Sequence, residues 1–201
     1  MPWYVDKFQE LATKRGATSS PWDQSEYIAD NMPQSLKNGV CQALVAMWMA
    51  SRGDWSVFKN IVKTPGGKAH VRGFMNLQHE GIRVDSLKDR GDVTSYFRLQ
   101  AEIFGIKYTG KQRKGNPVDA WKIAPMVKSA PAYYYLNFYG NTGGHSVGFV
   151  KSSSAVTFYD PNCGVAFFPA GTGLTHFLQD FLQAVYSTLN TDFFVEQFQS
   201  K

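Results

Sequence analysis

From Cys41 onward the apolar positions Cys41, Leu44, Val45, Trp48 and Met49 recur at the i, i+3, i+4, i+7, i+8 spacing of a buried helix face. Asn38 stands at the N-cap position, and Gly53 stands where such a helix should end. Helix-like stretches also run over Trp3 to Lys14, Asp23 to Met32, Asp92 (a cap residue) to Gly105, and Leu174 to Val185. A shorter one spans Val118 to Val127 and is interrupted by Pro125. After Pro131 the period changes to short aromatic and β-branched segments separated by Gly, Ser, Asn and Pro. These are Ala132 to Tyr139, His145 to Val150, Val156 to Tyr159, Val165 to Phe168 and finally Phe193 to Phe198. Helices first and strands afterwards predict an α+β fold with an antiparallel sheet. With no repeat and no linker, residues 1–201 read as a single domain, of which 1–37, polar and broken by Pro2, Pro21 and Pro33, form an N-terminal helical extension.

Composition narrows the class. The 201 residues are 43% hydrophobic and 18% charged, enough apolar material for a core and too little charge for disorder. The net charge of +5 allows an anionic partner without requiring one. The longest apolar run, Ala43 to Ala50, is too short to span a membrane. Met1-Pro2-Trp3-Tyr4-Val5-Asp6-Lys7 lacks the basic and apolar regions of a secretory signal. Two cysteines cannot staple a chain of this size.

Three places carry candidate chemistry: Asn38-Gly39-Val40-Cys41, Gly143-Gly144-His145 and Asp160-Pro161-Asn162. Singly, each has an ordinary reading as a core thiol, a structural histidine and a turn. Together they fit one chemistry. Cys41 falls in the first turn of its helix, where unpaired N–H groups and the macrodipole favour a thiolate. If Ser152-Ser153 is a two-residue hairpin turn, Phe149 faces Val156, Val147 faces Phe158 and His145 faces Asp160, all on one side of the sheet. A thiol at a helix start, a base and a carboxylate that orients the base make a nucleophile–base–orienter triad.

These segments resemble a family. Gly39-Val40-Cys41-Gln42-Ala43-Leu44 with Trp48, Gly144-His145-Ser146-Val147-Gly148, and Phe158-Tyr159-Asp160-Pro161-Asn162-Cys163-Gly164 are similar to the YopT/AvrPphB-type cysteine peptidases. The resemblance implies a papain-like fold, with the nucleophile at a helix start packed on a C-terminal antiparallel sheet. It implies bacterial effectors that cut host proteins, with nucleophile Cys41, base His145 and orienter Asp160. Residues 52 to 130 carry no family signature. For the oxyanion hole, Gln34 and Asn38 both precede Cys41; Gln34 is preferred, because capping already explains Asn38.

Other signals are weaker. Cys163 is a poor nucleophile in its turn, and a Cys41–Cys163 disulfide or a Cys41/His145/Cys163 zinc site has little support. No metal and no cofactor is expected. His70, His79 and His176 have no recognisable partner. Thr64-Pro65-Gly66-Gly67-Lys68 lacks the spacing of a phosphate loop and reads as a turn. Lys107, Lys111, Arg113 and Lys114 read as a solvated loop, or else as a contact for an anionic surface. Nucleic acid is not expected, for want of a basic stripe.

The leading function is therefore a cysteine protease effector or toxin, secreted or delivered into a target cell without a secretory signal. Its partners would be a protein substrate, an anionic surface and a cognate inhibitor or immunity protein. A glutamine deamidase or transglutaminase-like toxin with the same triad, and a non-catalytic interaction domain, are the alternatives.

Overall fold

The structure, a computed structural model, describes residues 1–32, 40–85, 93–141 and 143–201, with backbone alone for 77–85 and 93–96. In chain order the elements are α1 (Trp3–Lys14), β1 (Thr18–Pro21), α2 (Gln24–Asn31), α3 (Val40–Ala50), α4 (Trp55–Val62), α5 (Pro65–Asp85) and α6 (Val93–Ile103). There follow β2 (Ile106–Gly115), α7 (Ala120–Lys128), β3 (Ala132–Gly140), β4 (Gly143–Lys151), β5 (Ala155–Asp160), β6 (Gly164–Pro169), α8 (Leu174–Val185) and β7 (Asp192–Ser200). The strands form one antiparallel sheet in the order β1-β6-β5-β4-β3-β7-β2. The α+β class is as the periodicity predicts.

Period-two alternation sorts the side chains of each strand onto two faces. Tyr134, Leu136, Phe138, Val147, Phe149 and Phe158 pack with Phe8 of α1, Ile123 of α7 and Phe177 and Phe181 of α8. Tyr135, Tyr159 and Phe198 pack instead with Leu44, Val45 and Trp48 of α3, Phe58 of α4 and Phe97 of α6. The sheet is therefore covered on both faces, which is why Ala132 to Tyr139 reads as a nearly continuous apolar run. The close approach of α3 to β4 depends on Gly148: a Cβ there would lie 3.0 Å from both the Trp48 and Val45 side chains.

Several predicted features differ. The basic cluster is not a loop but β2, an edge strand paired with β7 and carrying a register shift between Tyr108 and Gln112. It shows no apolar alternation because Lys107, Lys111, Gln112, Arg113 and Lys114 are all exposed. Thr64 to Lys68 is not a turn but the start of α5, where the Thr64 hydroxyl accepts from the Gly67 N–H at 3.0 Å. Gly67 suits this site because a Cβ would meet the Ile61 carbonyl oxygen at 2.1 Å. Helix α7 continues through Pro125 to Lys128 and is capped by Asp119, whose side chain accepts from the Trp121 N–H. The N-terminal region is not wholly helical, since β1 pairs with β6.

The β4–β5 hairpin also differs in register. Phe149 opposes Phe158 and Lys151 opposes Val156, so the two-residue turn is Ser153-Ser154 rather than Ser152-Ser153. The slip is two residues, which leaves every side chain on its predicted face. Asn38, Gln34 and Asp92 lie outside the described residues, as does the His79 side chain.

Candidate active site

Cys41 is the second residue of α3, within the first turn. The first-turn N–H groups of a helix lack intrahelical partners and favour negative charge. His145 lies near the start of β4, opposite Phe138 of β3, and Asp160 ends β5. Continued to that end, the observed register sets His145 and Asp160 as diagonal neighbours, still within side-chain reach. His145 Nε2 is 3.1 Å from Asp160 Oδ1. That contact leaves the other ring nitrogen, Nδ1, free to face Cys41, whose thiol and the imidazole act on each other's ionisation. Cys41, His145 and Asp160 are thus buried close to one another, with His145 6% and Asp160 0% exposed.

The electrostatics of the pair run together. Burial pushes the Cys41 thiol up, but the imidazole of His145, with Ser146 after it, holds it below its ordinary value. Burial would push His145 down, but the Asp160 carboxylate and its hydrogen bond, followed by Cys41, carry it up to about 10. Both shifts favour a thiolate–imidazolium pair.

Further groups fix these three. Asp160 Oδ1 accepts from the Asn162 N–H at 2.7 Å, and Oδ2 accepts from the Tyr186 hydroxyl at 2.9 Å. The Tyr186 ring stacks on the imidazole, with centroids 4.7 Å apart and planes 20° from parallel, while Phe138 meets it edge-on at 5.6 Å. Asn162 Nδ2 donates to the Tyr186 oxygen at 2.9 Å, and Gln24 Nε2 donates to Asn162 Oδ1. On the other side, Ser146 Oγ donates to Asn137 Oδ1 and lies 3.1 Å from the Tyr135 hydroxyl. A cavity of about 550 Å³ bounded by α7 and α8 has Tyr186 in its wall.

The Asp-Pro-Asn-Cys-Gly block has a local explanation. Cys163 N–H donates to the Asp160 carbonyl at 3.1 Å, closing a tight β5–β6 turn. Gly164, at φ 119°, lies so close to β1 that a Cβ would meet the Ser20 carbonyl at 2.1 Å. Trp22 N–H then donates to Cys163 O and Gln24 N–H to Pro161 O, docking α2 on the turn.

Cys163 is buried beside this turn, its Sγ 3.8 Å from the Tyr4 carbonyl, and both cysteines are free thiols. Among the described residues no group of three or more His, Cys, Asp or Glu side chains could hold a metal. Sequence reasoning assigned no role to Tyr186, Ser146 or Gln24. Ser146 lay within a quoted motif. Tyr186 merely follows the apolar stripe of α8, and no local pattern marks it.

The profile of the peptidase family described as Yersinia/Haemophilus virulence surface antigen matches residues 9–201. A protein of Bradyrhizobium diazoefficiens whose name describes it as a YopT-like cysteine protease is 24% identical over 169 residues. That match covers 78% of this chain and 62% of the relative, so the chain spans less than two thirds of that protein. Among solved structures, the Pseudomonas avirulence protein AvrPphB superposes with a TM-score of 0.65 at 12% identity, over 86% of this chain and 99% of that one. PatoxP, a cysteine protease-like domain of the Photorhabdus asymbiotica toxin PaTox, gives a TM-score of 0.50 at 14% identity, over 97% and 57%. At such identities the superpositions speak for the fold alone. The family profile spans nearly the whole chain, and the chain belongs to the YopT/AvrPphB-type cysteine peptidases.

Proposed function

We propose that residues 1–201 act as one protease domain of the effector type, cutting proteins in a target cell through Cys41, His145 and Asp160. The observation that carries the reading is the buried His145–Asp160 pair, 3.1 Å apart, acting on Cys41 so that the thiol is held down and the imidazole held up. In this mechanism the Cys41 thiolate attacks the scissile carbonyl carbon, and the carbonyl electrons move onto its oxygen. The backbone N–H at the helix start, with Gln34 or Asn38 as the side-chain donor, would stabilise that oxyanion. Collapse of the intermediate breaks the C–N bond, and the imidazolium gives its proton to the departing amine. A thioester remains. His145 then takes a proton from water as the water attacks, and the restored thiolate leaves with the acid product released. Asp160 keeps Nε2 protonated and Nδ1 facing the sulfur throughout. Delivery into the target cell belongs to the same reading. So does contact of Lys107, Lys111, Arg113 and Lys114, all exposed on β2, with an anionic surface.

The test is incubation of a target-cell lysate with the protein and with Cys41→Ala, followed by terminal-peptide proteomics. New protein N-termini with the first and none with the second are expected. Identical termini in both samples, or glutamine side chains converted to acids without new termini, overturn the reading.

A further inference from the structure

Asp160 is fully buried, and a carboxylate can only accept hydrogen bonds. Its Oδ2 faces the Tyr186 hydroxyl at 2.9 Å, so the phenol must spend its single proton there. Its oxygen is then an acceptor for Asn162, which must present Nδ2, 2.9 Å away. Asn162 in turn must present Oδ1 to Gln24, whose Nε2 donates to it. The charge at one end dictates the polarity of every bond in the row, and no single member can flip without setting two acceptors face to face. The same tyrosine stacks its ring on the imidazole that the carboxylate orients.

We infer that Tyr186, Asn162 and Gln24 form a polarised positioning chain that keeps the Asp160 carboxylate aimed at His145, with the Tyr186 ring setting the imidazole plane. This rests on the reading of Cys41 and His145 as the reacting pair. None of the three touches the sulfur in this scheme; they act through Asp160. Without the Tyr186 donor, Oδ2 is left unpaired in a buried site, and the carboxylate turns away from the imidazole to find another partner. The imidazolium then loses its counter-charge, and Cys41 loses the cation that holds it as thiolate. Tyr135, Tyr159 and Cys163, which sit in the field of Cys41 or Asp160, are all pushed up by burial and uncharged at neutral pH. Tyr186 itself is pushed up in the same way.

The experiment needs no substrate. The rate of Cys41 alkylation by iodoacetamide is followed against pH in the wild-type chain, Tyr186→Phe, Asn162→Ala and the double variant, with the thermal transition of each. Tyr186→Phe keeps the stacked ring and removes the donor. It should move the acid limb up by about one pH unit, slowing alkylation there about tenfold, as loss of a hydrogen bond to a charged group does. Asn162→Ala should slow it about threefold alone and add nothing in the Tyr186→Phe background, since Asn162 would act only through the phenol. A folded Tyr186→Phe whose limb coincides with the wild type overturns the chain, and so do additive effects in the double variant. If the wild-type Cys41 itself reacts as an ordinary thiol, the protease reading is what fails. If the wild type is reactive on the acid side and Tyr186→Phe matches it, only the positioning chain fails.

Discussion

Cys41 and Cys163 are both buried, the first beside the imidazole that Asp160 orients and the second near Asp160 itself, yet their surroundings push them in opposite directions. Burial raises both thiols. At Cys41 the imidazole of His145, with Ser146 after it, outweighs burial, and the thiol ends below its ordinary value. At Cys163 the next influences are the negative charges of Asp160 and Asp23, so the thiol is pushed further up. Depth therefore does not distinguish a nucleophile from an inert core thiol; an arranged cation does. Asp160 acts in both senses. Relayed through His145 it favours ionisation of Cys41, and felt directly it opposes ionisation of Cys163.

The largest test of this contrast removes one sulfur. Cys41→Ala should abolish proteolysis while circular dichroism and the thermal transition stay close to the wild type. Asp160→Ala comes next, with a fall in turnover of about 100-fold or more. Because the carboxylate is fully buried and holds three partners, its removal should also cost on the order of 3 kcal/mol of stability. Asp160→Asn, which can still accept from the imidazole, should lose less on both counts, as thermal melts and turnover on an identified substrate will show. Equal rates for wild type and a folded Asp160→Ala would break the relay.

The pH dependence sharpens the contrast further. His145 is raised from 6.5 to about 10, so its stabilising contribution is complete below 6.5 and fades as pH rises through about 10. Cys41 is lowered from 9.0, so its contribution is complete above 9.0 and fades as pH falls through its folded value. The ion pair persists between the two folded values. Iodoacetamide should therefore label Cys41 at pH values where an ordinary thiol is protonated and leave Cys163 untouched until the chain unfolds. Mass mapping of alkylated peptides checks both. Cys163→Ala should keep activity within about twofold and cost about 1 kcal/mol for the small cavity. The smallest effect belongs to β2: neutralising Lys111, Arg113 and Lys114 should leave intrinsic turnover unchanged but flatten the salt dependence of association with an anionic partner.

What the sequence made legible follows from the range of the interactions. The stripe of α3 and the pairs of β4 and β5 are local patterns, and they brought Cys41, His145 and Asp160 to one place even though the hairpin turn was misjudged by one residue. A two-residue slip keeps the face, and the diagonal contact is long enough for an imidazole. The region from 52 to 130 was obscure for physical reasons. Gly66 and Gly67 disguise the first turn of α5, and β2 lies on an edge where neither face needs an apolar stripe. Tyr186 and Gln24 were invisible because each meets Asp160 or Asn162 through tertiary contacts between residues far apart in the chain.

The strand pairing of residues 18–21 with 164–167 has a consequence for how reactivity arises during synthesis. Cys41 leaves the ribosome well before His145 and Asp160 exist, and β1 cannot close on Gly164 until most of the chain has been made. Until then the sulfur is an ordinary thiol, protonated at neutral pH and slow to react. Closing so long a loop carries an entropic cost that late sheet contacts must repay, so assembly of this edge belongs to the slow part of folding. On the proposed reading the chemistry is thereby tied to completion of the fold: a nascent or unfolded chain would carry Cys41 without the imidazole that lowers its thiol.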